Sequence, residues 1–301
     1  MMGSSRVIGW IGAGRMGVPM AGFILKAGYP VLVYSRSAAG RDKLIAQGAR
    51  AAPSVAACAR EADVVFSSIP DDSALREIAL GPDGVLAAIG AGAIFVDTST
   101  VSAEVSAEVG DEAMRRGVAY LRIPISGNAV SARTGDVTVF VSGPEAAWNS
   151  VKPVLQSFSK EQIYLGDGER ARYLKLVVNA IVVVTAQGMA EALALGRKAG
   201  LPWDAMLDAI GESTIASPWL KAKAGLMKAR DFTPTMTTRL ILKDIDLMLA
   251  AAQSNDVPMP LTAMTRQIMQ AVIGEGLGDE DYMAIVKLAE LQSGLSTEHP
   301  S

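Results

Sequence analysis

The chain has 301 residues, of which 50% are hydrophobic, and its formal net charge is -3. That balance gives no reason to expect nucleic acid or an anionic membrane surface as a partner. Cys58 is the only cysteine, which excludes an intrachain disulfide and a cysteine-held zinc ion and agrees with a cytoplasmic location.

The first half of the chain alternates apolar runs with helical patterns. The apolar runs predict strands at residues 7–11, 30–34, 63–69, 93–97 and 119–124. The patterns between them predict helices at residues 18–27, 42–47, 73–78 and 101–116. Strands that alternate with helices indicate a parallel sheet covered by helices on both faces. Two later runs, residues 137–143 and 162–166, are predicted to finish this sheet.

From Arg170 onward the sequence predicts only helices and loops. A helix over residues 171–195 is almost wholly apolar, so we expect it to be buried. Its longest apolar run, residues 176–186, is too short to span a bilayer. Further helices are predicted at residues 203–212, 220–228, 240–254, 261–275 and 281–290. The sequence thus predicts a doubly wound α/β domain over residues 1–165 and an all-helical domain over residues 166–301.

A glycine-rich segment, Gly12-Ala13-Gly14-Arg15-Met16-Gly17, joins the first strand to the first helix. Strand, glycine turn and helix in this order form the dinucleotide-binding fingerprint. Gly12 permits the tight turn, Gly14 lets the backbone approach a pyrophosphate, and Gly17 lets the helix pack close to the strand. The N–H groups at the helix start would bind the phosphates. We therefore predict a nicotinamide dinucleotide cofactor at this turn.

The end of the second strand bears on the choice between NAD and NADP. An acidic residue there usually binds the ribose 2′-OH of NAD. This chain has Ser35, Arg36 and Ser37 instead. Arg36 can stack on adenine or bind a 2′-phosphate, and both serines can donate hydrogen bonds to it. The sequence favours NADP, with NAD as the alternative and a solvated Arg36 as the other interpretation.

The candidate acid or base is a lysine, because the only histidine, His299, lies at the C-terminal end of the chain. Lys175 and Asn179 interrupt the apolar helix at positions i and i+4, hence on one face. A buried lysine has a lowered pKa that suits proton transfer near neutral pH. The alternative is a lysine whose head group reaches the surface. A histidine-held metal is not expected.

Two polar loops follow strands of the predicted sheet, where ligands of open α/β sheets bind. Ser126-Gly127-Asn128 could bind a substrate carboxylate or form an ordinary turn. Asp97-Thr98-Ser99-Thr100 could cap the next helix or face the nicotinamide. Lys243-Asp244, in a helix of the second domain, is most simply interpreted as a surface pair.

Four segments of the chain, residues 9–17, 123–127, 168–179 and 232–245, occur in an order that resembles one known family. They are similar to the N-terminal signature, the substrate-binding loop, the catalytic helix and the C-terminal motif of the β-hydroxyacid dehydrogenases. That family includes 3-hydroxyisobutyrate dehydrogenase and tartronate semialdehyde reductase and, more distantly, 6-phosphogluconate dehydrogenase. The resemblance covers nearly the whole chain.

The resemblance implies a role for particular residues. Lys175 would be the catalytic acid or base, and Asn179 would contact substrate. Ser126 and Gly127 would bind the substrate carboxylate. The remaining positions would contact the cofactor: Ile69, Pro70 and Ser99 along its length, and Lys243 from the second domain.

Three positions depart from the family pattern, and one further arginine lies nearby. The family usually has Asp at Arg122, Gly at Asn128 and Asn at Val178, and Arg239 adds a positive charge near Lys243. We infer that Arg122 or Arg239 serves a second anionic group of the substrate, or that Asn128 and Val178 reshape the pocket.

The predicted function is reversible hydride transfer between a nicotinamide and a small β-hydroxy acid or its semialdehyde, with Lys175 as acid or base. An imine reductase and a non-catalytic NADP-binding sensor are the alternatives. The apolar second domain suggests a homodimer or homotetramer. The expected partner is a small carboxylate, without nucleic acid, membrane or metal.

Overall fold

The computed structural model describes residues 6–297, so His299 lies outside the described residues. The chain divides between Leu176 and Val177 into two compact units. The domain boundary at residue 165 stays a prediction.

The first unit contains a parallel six-stranded sheet. Its strands lie in the order β3-β2-β1-β4-β5-β6, which is the doubly wound arrangement of dinucleotide-binding folds. The predicted fold class is confirmed. The strands are β1 (Ile8–Ile11), β2 (Val31–Tyr34), β3 (Arg50–Ala51), β4 (Val64–Ser67), β5 (Ile94–Asp97) and β6 (Ala119–Arg122).

Helices cover both faces of this sheet. Because side chains alternate along a strand, each of the strands β1, β2, β4, β5 and β6 contributes to two cores. On β1, Trp10 packs on one face, where its ring stacks on Phe66 at 5.4 Å, and Ile11 packs on the other. The helices are α1 (Gly17–Lys26), α2 (Ala38–Ile45), α3 (Val55–Glu61), α4 (Asp72–Leu80), α5 (Val85–Ala88), α6 (Ala103–Arg115), α7 (Ala129–Thr134) and α8 (Glu145–Leu155).

The last strands of the first unit form a separate sheet, so the prediction that they finish the main sheet is wrong. β7 (Ile125–Ser126), β8 (Val137–Val141) and β9 (Ser159–Tyr164) pair in that order. β7 runs antiparallel to β8, and β9 runs parallel to it. Pro124 lacks the N–H that a continuing strand requires, which explains why β6 stops at Arg122.

The second unit is helical throughout its described part, as predicted. The helix α9 (Arg170–Lys198) begins in the first unit and continues into the second. After it come α10 (Trp203–Glu212), α11 (Pro218–Lys228), α12 (Thr238–Ser254), α13 (Pro260–Gly274), a 3-10 turn (Tyr282–Ala284) and α14 (Ile285–Gln292). Buried ion pairs join these helices, for example Lys223 with Asp281 at 2.7 Å.

The expectation that α9 is buried all round is wrong for one side. Tyr173, Val177, Ile181 and Leu195 are exposed, Leu195 by 72%. The composition of a helix does not determine which of its sides the rest of the chain covers. Length and hydropathy alone would allow α9 to cross a membrane, since its most apolar window has a mean hydropathy of 1.7. The helix is therefore longer than the apolar run of residues 176–186, and the expectation that it is too short to span a bilayer does not hold for its length; one such helix is weak evidence, since core helices of folded domains also have this length and composition.

Candidate active site

The glycine turn after β1 has the geometry that the fingerprint requires. Gly12 has φ +98°, and a Cβ there would collide with the carbonyl oxygen of Ser68. A Cβ at Gly17 would collide with the carbonyl oxygen of Gly12. Gly14, in contrast, faces open space. The first and third glycines are therefore needed by the fold, and the second leaves room for a ligand against the backbone.

A fourth glycine supports this turn, and the sequence analysis missed it. A Cβ at Gly40 on α2 would collide with the carbonyl oxygen of Ala13. The contact fixes α2 directly against the turn. Gly40 lies in a segment without a motif, so only the tertiary structure shows its importance.

A cleft of about 580 Å³ lies beside the glycine turn. It brings together eight of the predicted cofactor residues: Gly12, Ala13, Gly14, Ser35, Arg36, Ser37, Ile69 and Pro70. It does not include Arg15, Met16, Gly17 or Ser99. The cleft is also lined by residues of α3, of α4 and of the segments next to them, which the sequence analysis did not connect with the cofactor: Ser54, Val55, Ala74, Glu77, Ile78 and Asp83. The size and the open backbone fit a dinucleotide.

Arg36 faces an acidic residue within this cleft. Its Nη1 lies 3.7 Å from Oε2 of Glu77, and both side chains are largely exposed. Glu77 was not found from the sequence because it lies on α4, far along the chain from the second strand. An arginine at this place can bind a phosphate, and a carboxylate beside it competes for the same charge.

Ser99 does not line the cleft, but it contacts the backbone of a residue that does. Its Oγ accepts a hydrogen bond of 2.9 Å from the N–H of Ile69, and donates one of 2.7 Å to Asp97. The next helix, α6, is capped by Ser102, whose side chain accepts from the N–H of Val105. The interpretation of Asp97-Thr98-Ser99-Thr100 as the helix cap is therefore wrong. Ser99 instead fixes the Ile69-Pro70 segment.

Lys175 lies on the first part of α9 and is only 9% exposed. Asn179, four residues later on the same helix, is also buried. Within the second unit, Nδ2 of Asn179 donates a hydrogen bond of 2.8 Å to Oδ2 of Asp244. Lys243 contacts the other oxygen of Asp244 at 2.8 Å. Because Asp244 is buried, the interpretation of Lys243 and Asp244 as a surface pair is wrong for the carboxylate.

The loop after β6 has mixed local roles. Ser126 ends β7 opposite Thr138 of β8. Gly127 has φ +152°, and a Cβ there would press on Ser131 Oγ. Asn128 caps α7, since its side chain accepts from two backbone N–H groups and Ser131 Oγ accepts from its own N–H. The Asn-x-x-Ser spacing was a visible sign of this capping box. Its side-chain oxygen is thus engaged by the helix, while Ser126 remains the better candidate for substrate.

Arg122 lies in a buried pair with Glu169. Its Nη2 is 2.5 Å from Oε1 of Glu169, with little exposure of either side chain. Its guanidinium also stacks over the ring of Tyr120 at 4.4 Å. The charge of Arg122 is therefore already balanced within the fold. Arg122 is therefore part of the ion pair with Glu169 and is not proposed as a substrate contact.

A second buried arginine, Arg172, was missed altogether. It lies one turn before Lys175 on α9, is 1% exposed, and its Nη2 lies 2.6 Å from Oδ2 of Asp97. Burial opposes its charge, but Tyr120 and Asp97 nearby raise the pKa of this guanidinium above its ordinary value. The costly charge inside an apolar helix that drew attention to Lys175 was equally visible at Arg172.

Within residues 6–297, no group of three or more His, Cys, Asp or Glu side chains could hold a metal ion.

Family models match almost the entire length of the chain. The model described as the NAD binding domain of 6-phosphogluconate dehydrogenase matches residues 7–166. A second, described as NAD-binding of NADP-dependent 3-hydroxyisobutyrate dehydrogenase, matches residues 169–289.

Individual relatives agree with these models. The chain is 35% identical to 2-(hydroxymethyl)glutarate dehydrogenase of Eubacterium barkeri over 98% of each chain. The structure of 3-hydroxyisobutyrate dehydrogenase from Salmonella typhimurium superposes with a TM-score of 0.86 at 27% identity, covering 94% of this chain and 100% of that one. A structure of Psf3 in complex with NADP+ and 2-OPP gives a TM-score of 0.86 at 26% identity, covering 93% and 99%. The chain therefore belongs to the β-hydroxyacid dehydrogenase family, whose members are NAD(P)-dependent oxidoreductases of hydroxy acids.

Proposed function

We propose that this protein interconverts a small β-hydroxy acid and its semialdehyde, with Lys175 as general acid and base. The observation that carries the proposal is the burial of Lys175, only 9% exposed on a helix that also presents Asn179. A lysine side chain can serve as general acid or base when it is held within reach of the reacting oxygen. When bound, the nicotinamide supplies or accepts the hydride.

Lys175 handles the proton that accompanies hydride transfer. In oxidation, its amine takes the proton of the substrate hydroxyl. In reduction, its ammonium group protonates the oxygen of the carbonyl that becomes the hydroxyl. General acid–base catalysis of this kind contributes about 10²- to 10⁴-fold to the rate.

The carboxylate of the substrate is assigned to Ser126 and Gly127, with Asn179 as a further contact. The hydroxyl of Ser126 and the backbone N–H groups around Gly127 are donors that a carboxylate requires. Asn179 is oriented by its hydrogen bond to Asp244. An amide side chain offers a substrate both an acceptor oxygen and N–H donors.

NADP is the proposed preferred cofactor, with NAD as the weaker one. Arg36, Ser35 and Ser37 lie together along the cleft, and no carboxylate stands at the end of β2. We assign the 2′-phosphate to Arg36 and the two serines. Lys243 is proposed as a further contact of the cofactor. The pyrophosphate is assigned to the N–H groups around Gly14, where the backbone faces open space.

We also propose that the protein is a homo-oligomer of the cytoplasm. The exposed apolar side chains on α9 support association, because such surface is costly to leave in water. The single, buried cysteine agrees with a reducing compartment. Size-exclusion chromatography with light scattering would determine the number of subunits.

A substrate panel tests the proposed function. The panel includes monocarboxylic and dicarboxylic β-hydroxy acids, their semialdehydes and a cyclic imine, each with NAD and NADP. We expect turnover of a hydroxy acid or semialdehyde that falls at least about 10²-fold in Lys175→Ala. Lys198→Ala, at the exposed end of the same helix, is the matched control and should retain full turnover.

Three outcomes would contradict the proposal. Equal turnover of Lys175→Ala and the unmodified protein would remove the lysine from the mechanism. Reduction of the cyclic imine without activity on any aldehyde acid would favour an imine reductase. Tight cofactor binding without turnover of any compound would favour a non-catalytic sensor.

A further inference from the structure

A buried network of six side chains, Ser67, Asp97, Ser99, Ser106, Tyr120 and Arg172, ties the start of α9 to the main sheet. At its centre, Nη2 of Arg172 lies 2.6 Å from Oδ2 of Asp97, the last residue of β5. Neither side chain is more than 1% exposed. The other nitrogens of Arg172 donate to the carbonyl oxygen of Ser99 at 2.6 Å and to Ser106 Oγ at 3.1 Å. The guanidinium fork is therefore engaged on every nitrogen, since Nη2 also donates to the hydroxyl of Tyr120 at 3.0 Å.

The second oxygen of Asp97 extends the network to the wall of the cleft. Oδ1 of Asp97 accepts hydrogen bonds from Ser67 at 2.5 Å and from Ser99 at 2.7 Å. Ser99 in turn accepts from the N–H of Ile69, a residue that lines the cleft. One carboxylate thus connects the ends of β4 and β5, the Ile69-Pro70 segment and the first turn of α9.

Arg172 also lies close enough to Lys175 on α9 to affect the position of its side chain. The two residues are three positions apart on α9, so their side chains lie on neighbouring positions of the same helix surface. The rise of a helix separates them by about 4.5 Å along its axis. A rotation or shift of the first turn of α9 would therefore also move the amine of Lys175, by about as much as the turn itself moves.

Stability alone is a weak explanation for this arrangement. Burying two charges costs several kcal/mol, and a well-packed apolar pair is often as stable. An apolar pair cannot fix the orientation of the helix, because it forms no directional contacts. The planar guanidinium fixes an orientation through several hydrogen bonds at once. The network therefore suits a place where geometry must be maintained.

We propose that Arg172 is a positioning residue of the reaction, which holds Lys175 and the cofactor-lining Ile69-Pro70 segment in one fixed geometry through Asp97 and Ser99. The inference depends on the proposed role of Lys175 in proton transfer. A misplacement of about 1 Å in such a site can cost about 10²-fold in rate.

Arg172→Lys tests the proposal, because it keeps the positive charge and removes the fork. We expect kcat to fall at least about tenfold, while KM for the substrate changes less than about threefold. The pH profile of kcat should also be displaced, since the surroundings of Lys175 change. Ser99→Ala should weaken NADPH binding about fivefold, as the loss of one hydrogen bond to the Ile69 segment predicts.

Arg197→Lys is the matched control. Arg197 lies on the same helix, in the second unit, and forms an equally close pair with buried Glu290 at 2.6 Å. We expect Arg197→Lys to lower the melting temperature without displacing the pH profile of kcat. An equal displacement in both variants would overturn the proposal, because it would show that any weakened anchor of α9 has this effect.

Two further outcomes distinguish a failure of the role of Arg172 from a failure of the proposed function. If Lys175→Ala has full turnover, the proposed function is wrong. If Lys175→Ala is inactive but folded Arg172→Lys has the kcat and pH profile of the unmodified protein, only the inference is wrong. Should Arg172→Lys fail to fold, Ser106→Ala replaces it, since that change removes only the contact to Arg172 Nε and the one to Tyr120. Unchanged kcat in Ser106→Ala would then overturn the proposal.

Discussion

The guanidinium of Arg36 lies 3.7 Å from the carboxylate of Glu77, and both residues line the cleft beside the glycine turn. A cofactor phosphate bound by Arg36 must therefore compete with a negative charge already beside it. Exposed ion pairs are weak, so the phosphate should win this competition at a small cost in affinity.

Arg36→Ala should weaken binding of NADPH by about 10- to 100-fold, because hydrogen bonds between charged groups contribute about 1.5–3 kcal/mol. Binding of NADH should change little, since it has no 2′-phosphate. Glu77→Gln should have the opposite effect and strengthen NADPH binding a few-fold. Titration of each reduced cofactor by its nicotinamide fluorescence measures all of these dissociation constants.

Arg76→Ala is the control for both changes. Arg76 neighbours Glu77 on α4 but pairs with Glu108 at 2.7 Å and does not line the cleft. Its loss should leave both dissociation constants unchanged. A similar loss of NADPH and NADH binding in Arg36→Ala would contradict a role for Arg36 in selecting the 2′-phosphate.

Two glycines of the turn should respond to alanine in different ways. Gly14→Ala places its methyl group in open space, so the melting temperature should be retained while NADPH binding weakens at least about tenfold. Gly40→Ala forces a methyl group into the carbonyl oxygen of Ala13. It should lower stability by about 1–3 kcal/mol. Thermal unfolding and cofactor titration of both variants check this difference. A Gly14→Ala variant with a lowered melting temperature and normal NADPH affinity would contradict it.

Arg122→Ala should act on stability and not on substrate choice. It leaves the largely buried carboxylate of Glu169 without its ion-pair partner, a change that typically costs about 3–5 kcal/mol. The double variant with Glu169→Ala should be less destabilised than the sum of the two single variants. Chemical denaturation of the three variants measures this coupling.

The ratio of activities on dicarboxylic and monocarboxylic substrates provides a separate comparison. Arg122→Ala should leave this ratio unchanged. Arg239, whose side chain is largely exposed beside Asp279, is the remaining candidate for a second anionic group. Arg239→Ala should lower kcat/KM for dicarboxylic substrates selectively. Equal ratios in Arg239→Ala and the unmodified protein would exclude this role.

Cys58 should make the protein less stable at alkaline pH. Burial raises the pKa of its thiol from 9.0 to about 12. The unfolded chain therefore loses this proton at lower pH than the folded one, so stability is full below pH 9 and falls as the pH rises toward 12. Linkage predicts a loss of about 1.4 kcal/mol between pH 8 and pH 10 from this group. Urea denaturation at both pH values measures the free energy of unfolding of the unmodified protein and of Cys58→Ala. The loss of stability between the two pH values should be smaller by this amount in Cys58→Ala. Equal losses in the two proteins would contradict the prediction.

The parts of the fold that follow local rules could be predicted from the sequence. The alternation of apolar strands and helices identified the parallel sheet, and the glycine spacing identified the turn where the cleft lies. The separate sheet of β7, β8 and β9 could not be predicted, because an apolar run indicates extended structure but not its pairing partner. The order in which strands join is a property of the whole chain.

The candidate site shows the same division. Lys175 and Asn179 were found because polar residues stand out in an apolar helix. Glu77 and Gly40 were not found, since each contributes through a contact with a distant segment. Arg172 and the capping role of Asn128 had visible signs in the sequence, in the first case a buried charge and in the second a spacing typical of helix caps.

The helix α9 runs without interruption through the boundary between the two units, with Lys175 before it and Asn179 after it. Chimeras that exchange one unit for that of a relative must therefore join the two sequences inside a helix, in register. One inserted residue turns everything that follows by about 100° and shifts it by about 1.5 Å. The number of residues between Lys175 and Asn179 therefore sets how these two proposed site residues are oriented relative to each other on α9.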